Sequence, residues 1–414
     1  ETAFPAIQQA VNMAYIRGGG ELWVAAGTYI GIGVNAVTLR NNVNLYGGFN
    51  GTEAARNVRN LETNTTIIDG ESVRRCVLGA NNATLDGFTI RNGSAFCGGG
   101  MFNLCVSPTV MNCMFTGNSV IGTFAEGGGM CNRFASPTVT NCMFAGNSAD
   151  SGGGMFNVSA SPLVSNCTFA WNSAFGGGGM NNYFDSSPTL KNCTFFGNSA
   201  DTGGGMYNYE SSPVLTNCIL WSDISREIVF SSWPSMPVVT YSCVQGGYIG
   251  DGNIGENPLF RIPSSGDFRL QQSSPCVDSG TSADAPDTDI RGVIRPQGSG
   301  VDMGAYEYIP SDELSIHSAD TSGDWKLQLP ELLRVVQFFN MGGYSCDTTG
   351  TALDGYSPGP GASYDCPRHG SDYDAPAWEI TLSELLRLVQ FFNMAGYHVC
   401  SEEGTADGYC PGAG

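Results

Sequence analysis

SPTVMNCMFTGNS at residues 107–119 returns as SPTVTNCMFAGNS at 136–148, SPLVSNCTFAWNS at 161–173 and SPTLKNCTFFGNS at 187–199. Behind each block comes a glycine run and Met-x-Asn: GGGMCN at 127–132, GGGMFN at 152–157, GGGMNN at 177–182 and GGGMYN at 203–208, with an earlier GGGMFN at 98–103. The glycine runs start at 98, 127, 152, 177 and 203, so the unit is 25 to 29 residues long, a period that signals a solenoid. Each unit consists of short alternating segments broken by Ser-Pro, Gly-Asn and glycine, which leaves no room for a regular helix. One unit therefore reads as one coil of β-structure.

Side chains two apart share a strand face, so Cys142 and Phe144 point inward while Met143 points out, as do Cys113 with Phe115 and Cys167 with Phe169. Stacked coils place like on like. With strands about 4.8 Å apart, Asn147 and Asn172 are expected to form an amide ladder at a bend, each donating to one neighbour and accepting from the other. The column Cys113, Cys142, Cys167, Cys193 and Cys218 reads as small buried hydrophobes. Stacking at strand spacing exceeds the roughly 3.8 Å between Cβ atoms that a disulfide prefers, so thiols are expected there.

The chain has 414 residues, with 38 acidic against 18 basic side chains and a net charge of −20. That sign excludes phosphate-backbone binding, so no nucleic-acid partner is expected. No run of 18 apolar residues is present, so no membrane span is expected. The opening at Glu1, with no charged-then-apolar leader, reads as a mature secreted form. The expected location is extracellular, at a cell surface.

Phe-x-x-Asn alternating with a glycine-rich apolar strand resembles the repeats of chlamydial polymorphic outer-membrane proteins and, more broadly, the right-handed parallel β-helix, or pectin-lyase-like, superfamily. The resemblance covers roughly residues 1–308. FPAIQQAVNMAYIRGGGELWVAAGTY at 4–29 is similar to the family's opening, in which an amphipathic helix with Ile7, Val11 and Ala14 on one face closes the first coil. LDGFTIRNGS at 85–94 is a common coil phrase of the family, with Phe88 in the slot that later holds Cys. SPCVDSG at 274–280 and DIRGVIRPQGSGVDMGAYEY at 289–308 are similar to its closing segments and are expected to fold over the last coil. The implied plan is an all-β solenoid: a helix cap and first coils over 1–80, regular repeats over 81–245, a closing segment over 246–310 and a small helical module over 311–414.

That last module is an internal duplication: HSADTSGDWKLQLPELLRVVQFFNMGGY from 317 matches HGSDYDAPAWEITLSELLRLVQFFNMAGY from 369. Asp320, Ser322, Asp324, Lys326, Gln328 and Glu331 occupy positions 1, 3, 5, 7, 9 and 12 of an EF-hand-style loop, the spacing that gathers oxygens around one calcium ion. Lys326 contributes only its carbonyl, and Trp325 stands where glycine makes the sharp turn. In the second copy Asp372, Asp374, Glu379 and Glu384 remain as ligands, with one residue inserted. A calcium loop followed by an apolar helix, twice, resembles dockerin. The module's four cysteines allow three pairings; the local ones, Cys346 with Cys366 and Cys400 with Cys410, each flank a similar Asp-Gly-Tyr turn.

His317, His369 and His398 all lie in that module, so the solenoid has no histidine for Ser-His or Cys-His chemistry. Asp69, Glu71, Arg74, Arg75 and Asp86 form the one charged cluster to examine, and no catalytic residue is singled out. The expectation is an extracellular structural protein, a self-assembling filament or a surface-layer or adhesin subunit whose rods join copies of the chain head to tail. The alternative is a carbohydrate-active or carbohydrate-binding rod targeted by its tail to a cohesin-like protein or to surface glycans.

Overall fold

The computed structural model describes residues 6–231, 235–309, 329–341, 344–346, 356–358, 380–393, 397–399 and 409–411. The chain divides into two compact units, Glu1–Pro310 and Ser311–Gly414.

The first unit is a parallel β-solenoid with three long sheets. The first sheet stacks nine strands from Gly20–Ala25 to Val238–Thr240, the second nine from Gly27–Ile30 to Cys243–Val244, and the third eight from Asn35–Thr38 to Ile228–Ser231. Register carries each repeat onto itself: Val110 pairs with Val139, Phe115 with Phe144, Met130 with Met155 and Asn132 with Asn157. The interior is therefore built of columns. Phe115, Phe144, Phe169 and Phe195 stack with ring centroids 4.7, 4.8 and 4.6 Å apart. Cys113, Cys142, Cys167, Cys193 and Cys218 are buried and unbonded below Phe88, as the repeat implies. Each donates its Sγ–H to the carbonyl two residues earlier, 3.1 to 3.4 Å away. Burial pushes the thiols of Cys113, Cys142, Cys167 and Cys218 well up, which keeps them protonated.

Two amide ladders run through the regular repeats. At the bend after the second sheet, Asn118, Asn147 and Asn172 each donate Nδ2–H to the next member's Oδ1 at 2.9 Å, and Asn198 donates in the same way to Asp223. Inside the third sheet, Asn103, Asn132, Asn157 and Asn182 do the same at 2.8 to 2.9 Å, ending on Asn208. A buried amide costs about 1–3 kcal/mol when unpaired, and repetition at one register removes that cost at every coil. The Asn before each core Cys has a separate role: Asn112, Asn141, Asn166, Asn192 and Asn217 sit at φ 49° to 54°, the left-handed region that asparagine tolerates. Glycine is required where coils touch, since a Cβ on Gly128 would lie 2.5 Å from the Ser148 carbonyl.

Both ends of the stack are covered. Helix α1 (Ile7–Ile16) buries Ile7, Val11 and Ala14 against the first coil. At the other end, residues 245–256 fold beneath the last strands. Cys243 bridges Ile254, and the Asn253 side chain donates to the carbonyls of Val239 and Tyr248. The closing segment was expected over this last coil, but it runs back along the outside of the second sheet. Phe260, Phe268, Leu270, Cys276 and Met303 cover Ala170, Ile219 and Cys243. Asn166, Asn192 and Asn217 donate side-chain N–H to Thr288, Asp302 and Thr281. The outward side chains Ala170, Phe196, Ile219 and Trp221 make an apolar flank on the second sheet, and its burial explains this path. The segment is pinned by a buried pair, Arg295 with Glu307 at 2.6 Å.

In the second unit, α2 (Leu329–Asn340) and α3 (Leu382–Asn393) occupy the same place in each copy, and each is followed by a short antiparallel pair, Tyr344–Cys346 with Tyr356–Pro358 and Tyr397–Val399 with Tyr409–Pro411. Leu332, Val335, Phe338, Leu388 and Phe391 form its core with Tyr344 and Tyr356.

Candidate functional site

The charged cluster read from the sequence is not one site. Asp69 lies in the second sheet, Arg75 in the third and Asp86 in the first, so the solenoid turns them to three faces. Asp69, Arg75 and Asp86 are spent on coil-to-coil bonds, and Glu71 on a local pair. Arg91 reaches Asp69 at 2.7 Å, Arg59 reaches Asp86 at 2.7 Å, Arg74 reaches Glu71 at 2.9 Å, and Arg75 donates to Asn35 and to the Cys97 carbonyl. Proximity in sequence became separation in space because consecutive strands belong to different sheets.

Of the calcium set, Asp320, Ser322, Asp324, Lys326, Gln328, Asp372, Asp374 and Glu379 lie outside the described residues, as do Cys366 and Cys400. Cys346 and Cys410 are described only as strand backbone. Glu331 and Glu384 are described, and both are buried in the first turn of their helices. Glu384 also has a local partner. The Thr381 amide donates to its Oε2 at 2.6 Å, while the Glu384 amide donates to Thr381 Oγ1 at 3.3 Å. This is a capping box, legible in Thr-Leu-Ser-Glu at 381–384 but read from the sequence only as a calcium ligand.

A site that the sequence reading missed lies at the far end of the bend ladder. Where the repeat places Asn118, Asn147, Asn172 and Asn198, the next coil has Asp223. Its Oδ1 accepts both the backbone and the side-chain N–H of Asn198, at 2.6 and 2.9 Å. Aspartate suits the last rung: it accepts fully and leaves no donor stranded. Glu227 lies against it, accepting the Asp223 backbone N–H at 3.2 Å. Both side chains are more than nine-tenths buried, and Asp223 Oδ2 and Glu227 Oε2 meet no donor. Burial, joined by the charge of Asp223, pushes the Glu227 carboxyl up to about 10. Burial lifts Asp223 to about 6 against the bonds from Glu227 and Asn198 that lower it. A single proton held by the pair at neutral pH relieves the repulsion between the two facing oxygens. The pair forms the floor of a cleft of about 500 Å³, lined also by Arg226, Ser225, Gln245 and Tyr248. Such a floor can hold and transfer a proton. The signal was a broken column, Asn replaced by Asp, rather than a motif.

A second feature lies outside the thiol column. Cys97 and Cys131, on neighbouring coils, are joined by a disulfide.

Compared with known proteins, residues 134–250 match a family model described as "Right handed beta helix region". The solenoid is thus a right-handed parallel β-helix. No curated protein sequence matches the chain. Solved structures of similar shape include pectate lyase Pel9A, at 13% identity over 70% of this chain and 88% of that one, with a TM-score of 0.40. Another is the pectin methylesterase from Aspergillus niger in deglycosylated form, at 11% identity over 62% of this chain and 84% of that one, with a TM-score of 0.29.

Proposed function

We propose that this chain is an extracellular structural rod, a stiff spacer whose C-terminal unit joins it to other copies or to a surface. One observation carries the reading. Helices α2 and α3 bury the same face and leave the same leucines in solvent: Leu329 and Leu333 on one, Leu382 and Leu386 on the other, 55 to 60% exposed. An apolar face kept twice in a strongly acidic unit is suited to a partner. The covered solenoid ends support the same division of labour, since a helix and a loop sit where bare strands would otherwise template stacking. Association then falls to the C-terminal unit. The Cys97–Cys131 bond supports an oxidising, extracellular setting.

Calcium belongs to this reading as the ion that would order the acidic loops ahead of α2 and α3, with Glu331 and Glu384 supplying the last carboxylate of each. Light scattering of the intact chain tests it. A mass that rises with millimolar calcium and falls back on chelation, and that is lost in Leu333→Asp with Leu386→Asp, supports the joint; a constant monomer mass sinks it.

The Asp223–Glu227 cleft favours a second reading, a rod acting on carbohydrate. Two carboxyls in contact are closer than the roughly 5 Å or more that glycosidic displacement needs, so they suit proton transfer, as in eliminative cleavage. Release of unsaturated sugars from acidic glycans, lost in Glu227→Gln, would establish it; no release from a broad glycan panel would remove it.

A further inference from the structure

The Cys97–Cys131 bond has a third member. One Glu126 carboxylate oxygen and the two Sγ atoms all lie within 4.8 Å of one another, the only such triad among the described residues. Backbone pairing fixes the arrangement: Cys97 bridges Glu126 between coils, and Cys131 faces outward in the third-sheet strand Met130–Arg133. Cys131 and Cys97 are buried with Phe156, and Phe102, Val158 and Tyr183 pack around them. Arg133 holds Glu126 by one oxygen, Oε2, through Nε at 3.1 Å and Nη2 at 2.5 Å, which leaves Oε1 free of that pair.

We propose that the disulfide is one state of a two-state site: when reduced, Cys97, Cys131 and Glu126 bind one borderline-soft divalent cation, with zinc the chemical type. Two thiolates and a carboxylate are donors that Zn²⁺ accepts, leaving a fourth tetrahedral position for water. Arg133 fixes the Glu126 carboxylate through its guanidinium, as partners of metal ligands do. The buried Cys113–Cys218 column offers no equivalent, because no carboxylate joins its thiols in such a triad among the described residues.

The chemistry balances with an added reductant. A water-soluble phosphine breaks the Sγ–Sγ bond and becomes its oxide, water supplying the oxygen and the two protons of the new thiols. The cation then displaces both thiol protons to solvent, so binding strengthens as pH rises.

Cobalt(II) titration of the intact chain tests this. Before reduction no thiolate-to-cobalt absorption is expected. After reduction, the wild type should bind one equivalent more than equally reduced Cys97→Ser, with thiolate charge-transfer bands. Cys97→Ser and Cys131→Ser should each lose that equivalent and its bands, and Glu126→Gln should weaken binding at least tenfold. Cys97 is the variant to weigh first, because the corner it occupies lies outside the main core. Equal cobalt spectra for reduced wild type and Cys97→Ser, or wild-type affinity in Glu126→Gln, would overturn the proposal. Melting temperature offers an independent check: zinc should raise it in the reduced wild type and leave Cys97→Ser unchanged.

Discussion

Gln8 bonds Thr38 twice across the first coil: its Nε2–H donates to the Thr38 carbonyl at 3.1 Å, and its Oε1 accepts the Thr38 N–H at 2.7 Å. Thr38 ends the outermost strand of the third sheet, so a helix side chain stands in for the strand that is not there. An open parallel edge is a template for further chains, and here one amide blocks it.

Gln8→Ala should therefore act on the edge more than on the fold. Loss of both bonds is expected to cost about 1–2 kcal/mol. Amide exchange should accelerate at Thr38 while the coils beyond Met101 keep wild-type protection. Unchanged exchange at Thr38 would show that α1 covers the edge without this contact.

The bend ladder makes a sharper claim about Asn172. Its Oδ1 accepts two N–H groups from Asn147, and its Nδ2 donates to Asn198 and to the Phe144 carbonyl. Asn172→Ala leaves the buried Asn147 backbone N–H without its acceptor and removes one partner of the Asn147 side chain, while Asn198 Oδ1 keeps the backbone N–H of residue 172. A loss of about 2–4 kcal/mol is expected, read as a lower denaturant midpoint at unchanged slope. A loss below 0.5 kcal/mol would mean that the ladder is ornament.

The pair at the end of that ladder sets a pH dependence. Both folded pKa values are raised, Asp223 from 3.8 to about 6 and Glu227 from 4.5 to about 10. A raised carboxyl pKa stabilises the fold below the unfolded value and loses that contribution as pH climbs to the folded one. Solenoid stability should thus decline steadily from about pH 4 toward pH 10, the Asp223 share being fully lost by about pH 6 and the Glu227 share only by about pH 10. Glu227→Gln removes its share, so at pH 9 its melting temperature should exceed wild type by roughly 2 °C or more. A wild-type slope in the variant would place the proton elsewhere.

On the proposed reading, calcium would act through the C-terminal unit. Chelation should lower the unfolding temperature of that unit and leave the solenoid transition in place, and Glu331→Gln should reproduce half of the effect. Calorimetry of the intact chain resolves the two transitions, and a chelator-insensitive profile would end the assignment.

Much of the solenoid was legible because its physics is repetitive. Val110, Phe115, Met130 and Asn147 recur at one slot per coil, and in-register stacking is the arrangement that buries all of them. What repetition could not supply is what happens where it stops. The path of residues 258–308 depends on the apolar flank made by Ala170, Phe196, Ile219 and Trp221, which no periodic pattern announces. Asp223 and Glu227 belong to no motif, although the broken Asn column marks the first of them. Asp69 and Asp86 looked like neighbours because seventeen positions of chain hide a turn from one sheet to another. Cys97 and Cys131 are separated by 34 residues and fall in different repeat slots, so no column of cysteines pointed to their bond.

Negative-stain imaging of the intact chain at micromolar concentration, with and without millimolar calcium, tests the account most directly. The expected result is stiff rods of uniform width that associate through one end with calcium and separate when it is chelated. Dispersed single rods under both conditions would contradict it.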